Sequence, residues 1–462
     1  SLNTNDLNEA RVCFLCPSGF SYVVAQWAIW RAGGVAVPLC TAHPINEMAY
    51  VLTDSQASIL LVDDGLTVQK DLQLLAEQMA VVYITVDAQG STKQIDTNRS
   101  LPSVDEVRRA MILYTSGTTG KPKGVVTTHQ IIAAQISSLV LAWQWTSNDY
   151  ILHVLPLHHT HGIINKLCCA LWSGATCDML PKFTAERVWA CFVERPLTLF
   201  MAVPTIYNRL IAAYEQKSAA EQAVLSNACR KMRLMVSGSA ALPIRTLKQW
   251  QGISRHILLE RYGMTEIGMA LSNSYTGERL PGKVGRTLPN VVAQVVNENF
   301  EPIAEGEQGQ LQIKGPGVFL AYWNRPEATE AAFVNGWFCT GDIVKVTNGV
   351  YQIVGRNSVD IIKTGGYKVS ALEIEEVLRE QANVEACAVV GLPDPEWGEC
   401  VAAAIVVAEQ PNEVEAFFQT LKLACKTALA PYKIPRKFIL LTDLPRNVLG
   451  KVLKPTLKKY DW

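Results

Sequence analysis

The sequence predicts an α/β protein with a large N-terminal domain of doubly wound sheets plus a small β subdomain, and a C-terminal α+β domain. Three patterns carry this prediction. Residues 1 to about 110 alternate short apolar runs with helical stretches, the grammar of parallel sheets. Between Lys283 and Gly317 the pattern turns to short strands with polar turns, and after Gly355-Arg356 a new strand-and-helix pattern begins. The expected boundaries are 1–356 and 357–462.

At 462 residues the chain has ample sequence for several cores. Lys+Arg and Asp+Glu both total 42, so no bulk field favours nucleic acid or an anionic membrane, and any anion must be held by local groups. The longest apolar runs, 401–408 and 131–143, are too short or too interrupted for a membrane span. The expected partners are therefore small molecules; the oligomeric state is left open. Twelve cysteines are scattered without a disulfide framework. The pair Cys13 and Cys16 lies in an apolar segment and reads as packing, and free thiols suggest a reducing compartment.

Taken in order, strands are expected at 12–15, 35–38, 58–62 and 81–86, with helices over 22–31 and 44–53. A strand at 111–114 leads into the loop 115–124, then a helix over 130–143. In that loop Gly117, Gly120 and Gly124 permit close backbone approach, and Thr115, Ser116, Thr118 and Thr119 can donate to oxyanions. Lys121 and Lys123 supply charge, so the loop suits phosphate. It is not a P-loop, because Pro122 stands where that motif needs Ser or Thr.

A strand at 151–155 opens into VLPLHHTHG, with His158, His159 and His161 in a loop where open sheets place ligands. No cysteine or carboxylate sits at ligand spacing nearby in the sequence, so the histidines are not expected to hold a metal. The strand 197–204 ends in Pro204 before a helix over 205–214, and RLMVSGSAAL repeats the strand-then-turn pattern around Ser237. LLERYGMTEIGM offers a phenol face for a purine at Tyr262 and a hard carboxylate for Mg²⁺ at Glu266. WFCTGDIV, GRNSVDIIKTGGYKVSALEIEE and LPRNVLGKVLK complete the set of motifs. In the second of these Ser370 and Glu373 are expected to form a capping box. Strands at 386–390, 401–407 and 438–441 and a helix over 413–429 build the C-terminal domain.

These five motifs, in this order, resemble the adenylate-forming superfamily of acyl-CoA synthetases, peptide-synthetase adenylation domains and luciferases. The resemblance implies that residues 115–123 bind ATP phosphates, Tyr262 stacks on adenine, Thr265 contacts phosphate and Glu266 helps hold magnesium. It implies that Asp342 accepts from the ribose hydroxyls, Arg356 binds ribose and phosphate, and Lys451 is the catalytic lysine. Ser358 occupies the hinge position about which the mobile C-terminal α+β domain swings, where many relatives have Asp or Lys. The swing would bring Lys363, Gly365, Gly366 and Tyr367 to the pantetheine arm of coenzyme A. Family members usually carry a segment before residue 1, so the N-terminal domain is expected to be incomplete relative to them.

His159, His161, Arg233, Ser237 and Met264 are expected to line the acyl pocket, and the chain resembles the malonate-activating branch. A dicarboxylic acid needs a cation for its non-reacting end, and the planar fork of Arg233 is the expected partner. The expected activity is ATP-dependent ligation of malonate or methylmalonate to coenzyme A through an acyl-adenylate, with Mg²⁺. The branch implies the mitochondrial matrix, with the cytoplasm as alternative. Loading of a carrier protein and an inactive nucleotide-binding paralogue are the rival readings; a luciferase-type oxidation fits less well.

Overall fold

The computed structural model describes residues 6–86, 100–115, 122–357, 359–447 and 450–462. Its first sheet runs, edge to edge, Ala321–Tyr322, Lys123–Thr128, Arg109–Thr115, Val35–Pro38, Arg11–Leu15, Ile59–Asp63 and Val82–Val86. The five strands from Arg109–Thr115 to Val82–Val86 are parallel. Val35–Pro38 is buried at every position, as a strand covered on both faces must be. The loop expected to end at Gly124 gives way two residues earlier to the strand Lys123–Thr128, which returns antiparallel along Arg109–Thr115. Its V-V-T-T run explains this, since β-branched side chains favour the pleated surface. Thr128 then accepts from Ile131 N at 3.1 Å and caps the helix His129–Ala142.

The second sheet runs Arg286–Thr287, Gly268–Ser272, Leu259–Met264, Leu234–Ser237, Leu199–Ala202, Tyr150–His153 and Thr176–Met179. The last five are parallel, so their carboxyl ends open on one edge. Pro204, expected to end a strand, starts the helix Pro204–Glu215, where its missing N–H costs nothing. The helices Ala185–Glu194, Ala219–Arg230 and Ile244–Ser254 flank this sheet and were not expected from the sequence.

A third, antiparallel sheet contains Val292–Val296, Gln308–Lys314, Phe333–Val334, Trp337–Thr347 and Val350–Arg356. The fourth contains Tyr367–Ser370, Ile361–Thr364, Gly398–Val407, Val384–Asp394 and Lys437–Leu441, with the helices Ala371–Arg379 and Val414–Ala428 packed on it. Only half of the expected capping box forms: Ser370 Oγ accepts from Glu373 N at 3.3 Å. The Glu373 carboxylate turns instead to Lys433 Nζ at 2.6 and 2.7 Å.

Between the third and fourth sheets a chain of charges anchors the C-terminal residues. Lys454 Nζ donates to Asp360 Oδ1 and reaches Glu375 Oε1, each at 2.6 Å, while Glu375 also pairs with Arg379 at 2.6 Å. Asp360 Oδ2 in turn accepts the backbone N–H of Arg356 at 3.1 Å. Burial pushes the Asp360 carboxyl up, but the Lys454 ammonium and its hydrogen bond outweigh this, and the net shift is downward. The folded-state value thus lies below the unfolded one, so this stabilisation is present above about pH 4 and is lost as pH falls through the depressed value. Lys454→Met leaves Asp360 without its cation, while Glu375 keeps Arg379, and is expected to cost roughly 3 kcal/mol. The check is the urea midpoint of the variant against the parent at neutral pH, with the gap narrowing in acid.

Candidate active site

The strand Leu259–Met264 points successive side chains to opposite sides, and two separate sets of groups meet it. On one side the Tyr262 hydroxyl donates to Asp342 Oδ2 at 2.5 Å. Asp342 lies on Trp337–Thr347 directly across from Arg356, its register partner on Val350–Arg356. Burial raises the Asp342 carboxyl, and the Tyr262 hydrogen bond, Arg356 and Lys451 pull it partly back.

Lys451 completes this group from the C-terminal tail. A turn presents it: Asn447 N donates to Lys451 O and Lys451 N to Asn447 Oδ1, both at 2.9 Å, and Arg446 bridges Val452. Gly450 takes φ +78°, and a Cβ there would come within 3.0 Å of Thr205 at the start of the helix Pro204–Glu215. The tail therefore rests against the large domain. The Lys451 side chain keeps contact with solvent, yet desolvation in the cleft and the nearby Arg356 hold its ammonium below the ordinary lysine value, with Asp360 and Asp342 opposing.

Thr265 and Glu266 sit in the turn joining Leu259–Met264 to Gly268–Ser272. Glu266 is buried, and Oε1 accepts from the Tyr322 hydroxyl at 2.9 Å. Burial pushes its carboxyl up, with Tyr322, Arg356 and Lys123 opposing. No ion-pair partner reaches Glu266 among the described residues. A carboxylate so placed, bonded to one phenol and paired with no cation among those residues, fits a hard divalent ion such as Mg²⁺. Thr115 and Lys123 stand opposite each other at the mouth of the first-sheet hairpin, and Lys123 Nζ lies 4.9 Å from the Tyr322 ring centroid. Ser116, Gly117, Thr118, Thr119, Gly120 and Lys121, and the hinge position Ser358, lie outside the described residues.

On the other side of the strand the buried guanidinium of Arg261 meets His161 and Ser239. Arg261 NH2 donates to Ser239 Oγ at 3.3 Å, and His161 Nδ1 lies 3.1 Å from the same oxygen. A Cβ on Gly238 would come within 2.5 Å of the guanidinium, so only glycine leaves room for it. Arg261 Nε, His161 Nε2, His159 Nε2 and Ser237 Oγ are all buried without a hydrogen-bond partner. Among the described residues no carboxylate pairs with Arg261, and burial pushes its value down to about 9. Burial likewise lowers His159 to about 4 and His161 well below its usual range, so both rings are neutral. Met264, at the strand end, packs on the third sheet's core.

Arg233 is not part of this group. It precedes Leu234–Ser237 at the end opposite Ser237, close to Asp149, which precedes Tyr150–His153 two strands away in the same sheet. Its Nε and NH2 donate to the two Asp149 oxygens at 2.7 Å, NH1 donates to Trp143 O at 2.9 Å, and the guanidinium lies over Tyr275. Every face of the fork is engaged. The cation that sequence reasoning missed is Arg261; its signal was a charged residue inside the apolar strand LLERYGM. Tyr322 and Ser239 carried no such signal.

Lys363, Gly365, Gly366 and Tyr367 form the hairpin between Ile361–Thr364 and Tyr367–Ser370, with Gly365 and Gly366 at φ +55° and +81°. Tyr367 stacks on Tyr432 at 4.1 Å, Gly365 abuts Trp397, and the neighbouring Lys368 reaches Glu298 at 2.5 Å. These contacts hold the hairpin by groups other than those around Lys451.

Residues 6–323 match the AMP-binding enzyme family and residues 373–451 its C-terminal domain, and the chain belongs to this family. Among its relatives is the mitochondrial malonate–CoA ligase ACSF3 of Homo sapiens, 45% identical over 98% of this chain and 84% of that one. The malonate–CoA ligase of Arabidopsis thaliana is 41% identical over 98% of this chain and 78% of its own. The crystal structure of ATP-bound MatB from Rhodopseudomonas palustris superimposes with a TM-score of 0.89 at 34% identity, covering 98% of this chain and 89% of that one. A malonyl-CoA ligase ternary product complex with methylmalonyl-CoA and AMP gives 0.68 at 35% identity, covering 94% and 91%.

Arg233→Met breaks a bidentate pair and leaves the buried Asp149 without its half-buried partner, and is expected to destabilise by about 3 kcal/mol while leaving the KM for the acid within about twofold. Denaturant midpoints and acid titrations at saturating ATP check the two halves separately.

Proposed function

We propose that the chain is an AMP-forming acid–thiol ligase that joins malonate, or methylmalonate, to coenzyme A in the mitochondrial matrix. A carboxylate is a poor electrophile, and the fold supplies the means of activating it. One carboxylate oxygen attacks the α-phosphorus of ATP, and the bond to pyrophosphate breaks. The thiol sulfur then attacks the acyl carbonyl, AMP leaves with the acyl oxygen, and the thiol proton passes to solvent.

Lys451 offsets the charge that gathers on the α-phosphate as the two anions approach. Thr115, Thr265, Lys123 and the 116–121 segment hold the remaining phosphates. Asp342, oriented by the Tyr262 hydroxyl, accepts from the ribose, with Arg356 beside it, and the Tyr262 ring faces adenine. Glu266 would hold Mg²⁺, which when bound neutralises phosphate charge. The better superposition on the ATP-bound ligase than on the product complex, 0.89 against 0.68, supports reading the present arrangement as the adenylate-forming one. Swinging about the hinge at Ser358 would withdraw Lys451 and bring the Lys363, Gly365, Gly366 and Tyr367 hairpin to the thiol channel.

The observation that carries the dicarboxylic acid is the buried guanidinium of Arg261 without an acidic partner. A charge left unpaired in a buried site is costly, and the distal carboxylate of malonate supplies the missing partner, with His161 and Ser239 as further polar contacts. In this role Arg261 replaces Arg233.

Pyrophosphate release from acetate, malonate, methylmalonate and palmitate, with and without coenzyme A, tests the reading. Malonate or methylmalonate is expected to lead, and Arg261→Met to lower malonate kcat/KM about a hundredfold or more relative to acetate. An unchanged malonate-to-acetate ratio would remove the acid assignment and leave the enzyme class standing. Lys451→Ala is expected to slow adenylate formation about 10²- to 10³-fold. Because the folded-state value of Lys451 is depressed, adenylation by the parent should decline with rising pH at values below the 10.5 of a free lysine, and this limb should vanish in Lys451→Arg.

A further inference from the structure

Three histidines in the segment 158–161 had no cysteine near them in the sequence, but the fold supplies one. The loop after Val35–Pro38 brings Cys40 and His43 against His158, so that one ligand atom from each lies within 4.8 Å of the others. We propose that Cys40, His43 and His158 form a binding site for one Zn²⁺ ion that ties the loop after Val35–Pro38 to the loop after Tyr150–His153.

Four features make this a built site. Cys40 and His43 stand in a short Cys-x-x-His turn closed by the His43 N–H, which donates to the Cys40 carbonyl at 3.1 Å and so fixes both residues on one loop. Glu47 Oε2 lies 3.3 Å from His43 Nδ1, placing a carboxylate behind the imidazole to orient it and raise its basicity. His158 Nε2 is buried without a hydrogen-bond partner, an omission that a cation or its bound water would correct. Finally, Cys40 and His158 line a cavity of about 180 Å³ beside Pro156 and Phe183, leaving room for water as a fourth ligand.

One thiolate and two imidazoles select a borderline-soft ion over Mg²⁺ or Ca²⁺. Tetrahedral zinc with ordinary bond lengths sets its ligand atoms about 3.5 Å apart. The three groups need to close by roughly an ångström, within the reach of side-chain rotation. The His158 loop continues into His159 and His161, so an ion at its start would stiffen the segment that faces the Arg261 pocket. This site is separate from Glu266 and does not depend on the identity of the acid.

The test uses the full chain, freed of any affinity tag and treated with chelator, without ATP. Titration with Zn²⁺ by calorimetry is expected to give one equivalent per chain and a higher thermal midpoint. Co²⁺ should give the intense visible bands of a tetrahedral site together with a thiolate-to-metal charge-transfer band. Glu47→Gln should weaken Zn²⁺ about 10- to 100-fold. Cys40→Ser should abolish the charge-transfer band, and His158→Gln should lower affinity by at least as much as Glu47→Gln. Circular dichroism establishes that each variant is folded, and His43→Gln, at a partly exposed position, stands in for any that is not. Failure of the folded parent to bind one equivalent overturns the proposal, as does a Co²⁺ spectrum unchanged by these substitutions.

Discussion

The Tyr262 to Asp342 hydrogen bond is the contact on which the rest of the site depends, because it adds a directed polar link between two sheets that share only the apolar core around Leu271, Leu311 and Phe338. Tyr262 comes from the second sheet and Asp342 from the third, and Arg356 stands across from Asp342 as the last residue of its strand. Four residues later Asp360 ties the same point to the C-terminal residues through Lys454. A short line of polar contacts thus runs from the nucleotide side of the large domain into the tail that carries Lys451. Displacing any member would move the others, since each is held by the next and not by apolar packing alone.

The strand Leu259–Met264 makes this economical. Alternation along a pleated strand sends Tyr262 toward Asp342 and its neighbour Arg261 toward His161 and Ser239. Adjacent residues therefore serve two different clusters of polar groups. The space for Arg261 comes from Gly238, in the turn after the neighbouring strand, so the acid side rests on a missing side chain as much as on a present one.

Much of this was legible in the sequence. The parallel sheets announced themselves through short apolar runs, and Tyr262, Glu266, Asp342, Arg356 and Lys451 stood in motifs whose residue types suited their chemistry. What the sequence could not convey was which of several arginines lacked a partner. Arg233 and Arg261 both look capable of holding a carboxylate; only the fold reveals that Asp149 already occupies the first. The same limit hid the approach of Cys40 to His158, whose separation along the chain gave no spacing to recognise. The strand Lys123–Thr128 was missed for a different reason, because the glycine and lysines before it drew attention to the loop and away from the β-branched run that follows.

The close fit of Gly450 against Thr205 has a consequence for how this protein can change over generations. A side chain at 450 would be strained by the left-handed backbone of its own turn, and its Cβ would also press on Thr205, so two separate constraints hold the position to glycine. Selection on that position therefore acts on the turn that presents Lys451 as well as on the surface the turn meets.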